Sequence, residues 1–205
     1  KVRIIGTPRF GVYQAYKKAM PGEAHIENAV SINQPYILFA GCAVGFDEIG
    51  ALKSAAASLQ LIRDKFPPKT TIVYRPHPWG STAGKLKQLL KNPIDGVIID
   101  PQILSNIDVA GSDFQPSLSY YPQLLDKALF VICPLSTMII ESTIMNKQVL
   151  ALAHEDSISL FSPNRILANY KHFEGVEKLT NITIVSNLEM LPKGMLNSYQ
   201  NRFDK

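Results

Sequence analysis

The strongest constraint on this chain is a set of short apolar runs spaced along its 205 residues and separated by segments with helical periodicity. The runs are Tyr36–Ala40, Thr70–Tyr74, Gly96–Ile99, Leu129–Ile132, Gln148–Ala153 and Ile182–Val185. None shows the in–out alternation of a strand with one wet face. Continuous apolar runs of this length are what strands covered on both faces require. Strands alternating with helices imply an α/β chain: a Rossmann-like parallel sheet of about six strands with helices on both faces. Hydrophobic residues make up 46% of the sequence, enough for a core of that size.

Between the strands, Gly11–Met20, Glu48 to about Lys65, Ser81–Lys91, Pro122–Ala128, Thr137–Met145 and Asn164–Tyr170 read as helices, with one or two more at the C-terminus. Asp47 is placed to cap the long helix, whose apolar positions Leu52, Ala55, Ala56, Leu59 and Ile62 share one face. Val2–Ile5 reads as a further strand, the segment from Gly22 to Asn33 as a connector, and residues 101–118 as a loop. We assign 1–34 to a linker or extension and 35–205 to the main domain. Because the chain opens on Lys1 and runs straight into an apolar strand, the expectation is a fragment with a domain missing upstream.

Open parallel sheets bind ligands outside the carboxyl ends of their strands. That filter selects Gly41–Gly45, Arg75–Gly80, Asp100–Ile103, Cys133–Thr137 and His154–Asp156. Net charge is +4 and the charges are scattered, which suits an anionic ligand or an anionic membrane surface but does not argue for nucleic acid. Nothing resembles a signal peptide or a stretch of about 20 apolar residues. Cys42 and Cys133 lack metal or disulfide spacing and read as buried thiols of a reducing compartment. The expectation is a cytoplasmic chain, with association at the inner face of the membrane left open by its charge.

Three stretches within the filter can carry chemistry. In Arg75-Pro76-His77-Pro78 the prolines hold both preceding residues extended, lowering the entropy lost on gripping a ligand. Arginine matches phosphate with a fixed fork, and histidine can move a proton near neutral pH. The bland alternative is a rigid turn with a solvated Arg75 and a stacked His77. Ser136-Thr137 stands where a strand turns into a helix, so free N–H groups and hydroxyls share an anion site, unless Ser136 merely caps the helix. Glu141, four residues after Thr137, lies on the same helix face among apolar neighbours and suits ribose hydroxyls better than open solvent. Gly41 and Gly45 let the backbone approach a ligand, but they form neither GxGxxG nor GxxxxGK[ST]. Trp79 could stack on a base or pack internally. His154-Glu155-Asp156 reads as a pocket loop or cap. Adjacent residues rarely converge on one ion, so no metal or other cofactor is expected.

Together, YILFAGCAVG, the strand–RPHP unit, the PLST turn with Glu141, and QVLALA resemble the C-terminal, donor-binding half of a GT-B glycosyltransferase. His77-Pro78 followed by Ser136-Thr137 is similar to the cytidine-nucleotide enzymes: GT-B sialyltransferases, Kdo transferases and CDP-glycerol glycerophosphotransferases. The segment from Arg3 to Phe10 resembles the approach to the donor domain in the last group.

The resemblance implies that His77 contacts the donor phosphate and assists departure of the nucleotide. It implies that Ser136 and Thr137 hold phosphate oxygens and that Glu141 faces the ribose. Arg75 is added on physical grounds, to neutralise charge on the leaving phosphate. Asn146-Lys147-Gln148 departs from the Gly-Lys-Pro of many such helices, although asparagine tolerates the left-handed turn. The expected function is donor binding in a glycosyl- or glycerophosphotransferase of surface polysaccharide synthesis, acting on a glycan or polymer acceptor. Catalysis would be incomplete in this fragment, because the base usually comes from the N-terminal domain. The alternatives are a UDP-sugar transferase or epimerase-like domain, and a non-catalytic binding module.

Overall fold

The computed structural model describes residues 8–19, 30–43, 45–77, 82–106 and 117–203. The strand expected at Val2–Ile5, together with His25, Val44, Pro78, Trp79, Gly80 and Ser81, lies outside them. The described residues form one six-stranded sheet: β1 (Tyr36–Ala40), β2 (Thr71–Arg75), β3 (Val97–Ile99), β4 (Ala128–Pro134), β5 (Val149–Leu152) and β6 (Ile182–Val185). Every neighbouring pair is parallel, in the order β3-β2-β1-β4-β5-β6. The expected sheet is therefore present, with Tyr36–Ala40 and Ile182–Val185 as expected and the ends of the other strands moved by up to two residues.

Each strand serves two cores, because successive side chains leave a strand on opposite faces. From β1, Tyr36, Leu38 and Ala40 join one apolar cluster, and Ile37 and Phe39 join the other. The second cluster is closed by α2 (Glu48–Leu61), through Leu52, Ala55 and Leu59, and by α8 (Leu191–Gln200), through Leu191 and Met195. Leu89 of α3 (Thr82–Lys91) adds to it. The first cluster is closed by α5 (Tyr120–Lys127), α6 (Met138–Ile144) and α7 (Pro163–Asn169). It also takes Tyr13 of α1 (Gly11–Lys18), 2% exposed, so part of the segment expected as an extension packs into the body of the fold.

Local departures have local causes. The long helix stops at Leu61 and gives way to a 3-10 turn at Arg63–Lys65. Pro67 and Pro68 follow, and a residue before proline avoids helical ψ. The stretch expected as loop contains α4 (Pro101–Leu104), capped by Asp100, whose side chain accepts from the Gln102 N–H at 2.9 Å. Four residues are too few to show periodicity. Asn146, at the end of α6, has φ 55°, the left-handed turn its side chain tolerates.

Arg75, the last residue of β2, is 3% exposed. It is ion-paired with the fully buried Asp100 at the end of β3. Its guanidinium carbon lies 5.3 Å and 4.4 Å from the ring centres of Tyr120 and Tyr121, and the Tyr120 hydroxyl donates to Asp100 at 2.7 Å. This network ties the carboxyl ends of β2 and β3 to α5. Asp100→Ala leaves a buried guanidinium uncompensated and is expected to cost about 3–5 kcal/mol. Urea unfolding should show a lower midpoint at unchanged slope. A loss below about 1 kcal/mol would contradict this role.

Candidate functional site

The strand order reverses between β1 and β4, so the crossovers after these strands part. A cavity of about 790 Å³ opens at that point. Its polar floor comes from the carboxyl ends of three strands: Gly41–Ala43 after β1, Arg75–His77 from β2, and Leu135–Thr137 after β4. A second wall is apolar, formed by Ile140 and Ile144 of α6 with Ile166, Phe173 and Val176. The switch point of a doubly wound sheet is where such folds bind ligands.

The cavity brings together His77, Ser136, Thr137, Arg75 and Gly41. His77 is half-buried. Burial holds its pKa below the ordinary histidine value, and Arg9, Lys85 and Arg75 add positive charge in the same direction. The imidazole is thus neutral near pH 7 and stands in a positive field. The Ser136 hydroxyl oxygen accepts from the Met138 N–H at 3.3 Å, and Thr137 is exposed at the start of α6.

Gly41 has an internal reason to lack a side chain. A Cβ there would collide with Oε1 of Glu48, while its N–H donates to the Arg75 carbonyl at 2.8 Å. Gly45 is exposed with open space around it and does not line the cavity. Glu141 is 0% exposed and lies behind the wall rather than on it. One of its carboxylate oxygens accepts from the Tyr13 hydroxyl, and the other is 3.0 Å from Nη2 of Arg9. Burial raises its pKa, opposed by these two partners. Cys42, on the cavity wall, and Cys133 are buried thiols, and burial pushes the Cys133 pKa up.

One arrangement recurs three times around His77. Glu48 takes the Tyr74 hydroxyl and Nζ of Lys85, the latter at 2.9 Å. Asp100 takes the Tyr120 hydroxyl and Arg75. Glu141 takes the Tyr13 hydroxyl and Arg9. Each carboxylate is at most 1% exposed, and the three cations are those whose charge reaches His77. A buried carboxylate with a tyrosine on one side and a cation on the other fixes where that cation stands. Arg9 escaped the sequence reading. It precedes α1 and lies outside the segments that the carboxyl-end filter selects. Its only signal was the Pro8-Arg9-Phe10 stretch within the resemblance.

His154, Glu155 and Asp156 do not converge. Asp156 accepts from the N–H groups of Asp47, Ser159 and Ile158, Glu155 pairs with Arg165 at 3.5 Å, and His154 is buried against Phe46. Among the described residues, no three His, Cys, Asp or Glu side chains are grouped as metal ligands. Nor is any described helix long and apolar enough to cross a membrane.

No family model matches the chain, and no curated relative does. Among solved structures, the fold is similar to UDP-GlcNAc 2-epimerase from Methanocaldococcus jannaschii, with a TM-score of 0.51 and 16% identity. The likeness covers 93% of this chain and 43% of the epimerase chain, so this chain spans less than half the length of that protein. At that identity the likeness shows the fold, a Rossmann-like layer with helices on both faces.

A phosphate placed beside His77 would raise its pKa, so binding takes up a proton and strengthens as pH falls from about 7 toward 6. The lowered pKa of the unliganded state sets this sign, since the ring starts neutral. Calorimetry of UDP or CDP binding in buffers of different ionisation enthalpy should show greater proton uptake for the wild type than for His77→Gln. The ligand's own titration is common to both proteins. Equal uptake would remove His77 from the phosphate.

Proposed function

We propose that this chain is the donor-binding half of a GT-B-type enzyme and that its switch-point cavity holds a nucleoside diphosphate linked to a sugar or to glycerol phosphate. The observation that carries this reading is the convergence of half-buried His77 and the Ser136 hydroxyl on one cavity at the carboxyl ends of β2 and β4. A neutral imidazole N–H and a serine hydroxyl at the start of a helix are donors suited to phosphate oxygens. The positive charges of Arg9, Lys85 and Arg75, which add to burial in lowering the His77 pKa, favour the same ligand charge. The apolar wall offers surface for the less polar parts of the ligand.

In this scheme His77 donates to the donor phosphate and supports departure of the nucleotide, Ser136 and Thr137 hold phosphate oxygens, and Gly41 keeps the floor low. Arg75 contributes field rather than contact, because its guanidinium is fixed on Asp100. It positions the His77 loop. Transfer to a glycan or polymer acceptor, at the membrane face or away from it, would need a second half of the enzyme over the cavity. No resident metal or cofactor enters the scheme.

Two bases compete. The His77-Pro78 and Ser136-Thr137 pattern favours a cytidine nucleotide, and the likeness to a UDP-GlcNAc 2-epimerase favours a uridine one. Binding of CDP, UDP, CMP, UMP and GDP, followed by thermal shift and calorimetry, decides between them. A pyrimidine diphosphate should stabilise the chain and outrank GDP. His77→Ala and Ser136→Ala should each weaken it about tenfold or more, as loss of a hydrogen bond to a charged group does. Absence of any nucleotide effect would leave the chain a non-catalytic binding module.

A further inference from the structure

We propose that Arg9 is the cation that meets the ligand's phosphate, and that Glu141 and Tyr13 are positioning residues that hold it at the cavity wall. The inference rests on the nucleotide reading above and names a group that it lacks.

Three cations surround His77, and their exposures differ. The side chain of Arg75 is 3% exposed and that of Lys85 is 22% exposed, and Lys85 does not line the cavity. Arg75 lines it, but turning outward would strand the buried Asp100 and vacate the rings of Tyr120 and Tyr121. Arg9 lines the cavity with its side chain 47% exposed. It is the most open of the three to a ligand.

The ion pair of Arg9 with Glu141 runs from Nη2 to one carboxylate oxygen, at 3.0 Å. A guanidinium carries five N–H donors in a planar fork, so the remainder of the fork can serve an anion. Glu141 cannot follow Arg9 into the cavity. Its carboxylate is fully buried, and its other oxygen is held by the hydroxyl of Tyr13, itself 2% exposed. The arginine is thus aimed from behind, by a carboxylate that no ligand touches. This reassigns Glu141 from a contact with ribose to control of the cation that grips phosphate, and it makes α1 part of the binding site.

The test is calorimetry on the full 205-residue chain at fixed low salt, with UDP, CDP and inorganic pyrophosphate as phosphate probes and uridine and cytidine as phosphate-free probes. The variants are Arg9→Gln, which keeps an N–H for Glu141, Arg9→Lys, Glu141→Gln and Tyr13→Phe. Lys53→Gln, on the exposed face of α2, controls for net charge.

Arg9→Gln should weaken the nucleoside diphosphate about tenfold or more and leave the nucleoside unchanged. Arg9→Lys should fall between. Glu141→Gln and Tyr13→Phe should narrow the ratio of nucleoside to nucleoside diphosphate Kd without changing nucleoside binding, which a merely structural effect would not do. Lys53→Gln should match the wild type. Nucleotide binding that is equal in wild type and Arg9→Gln overturns this inference and leaves the nucleotide reading standing. So does an equal loss of nucleoside and nucleotide. Pyrophosphate binding that depends on Arg9, without any nucleotide binding, supports the anion site and overturns the nucleotide reading. No binding of any probe overturns both.

Discussion

The reversal of strand order at β1 is the constraint from which the rest follows. Right-handed crossovers carry the chain from β1 outward to β3 with α2 and α3 on one face, then back across to β4 and on to β6 with α5, α6 and α7 on the other. Helices leaving β1 and β4 therefore diverge, and the space between them cannot be filled by either. Backbone donors at the start of α6 and the loops after β1 and β2 line that space because parallel strands all end on the same edge. A cavity is imposed by topology before any side chain is chosen.

The side chains then give the cavity its sign. Burying a carboxylate is costly unless it is hydrogen-bonded and paired. Glu48, Asp100 and Glu141 each meet that demand with one tyrosine hydroxyl and one cation. Each unit is close to neutral, yet it is the cation of each that adds to the lowering of the His77 pKa. The result is a positive field at the imidazole without an unpaired buried charge. Such fixed charges need no rearrangement when an anion arrives, which is how a site favours charge that develops in a reaction.

The sequence carried the fold well where one run of residues decided the outcome. Tyr36–Ala40 and Ile182–Val185 were legible to the residue because continuous apolar runs admit few other structures. Asp47 was legible as a cap because its partner, Gly50, is three residues away. The site was less legible because its partners are distant in sequence. Arg75 invites reading as a ligand contact, since Asp100 stands 25 residues on and is met only through the β2–β3 pairing. Glu141 could be recognised as ill-suited to solvent, but Tyr13 lies 128 residues away. Arg9 lies outside the strand-end segments that the sequence singled out. What periodicity conveys is which faces are buried; which charges meet is decided by the register of the sheet and the packing of α1.

In the proposed function one phosphate lies between the His77 loop and the start of α6. A crystal structure of the chain grown with UDP or CDP tests it most directly. Phosphate density is expected within hydrogen-bond distance of both His77 and the Ser136 hydroxyl in the same ligand. A nucleotide bound elsewhere, or one in this cavity with its phosphates turned away from both residues, would contradict it.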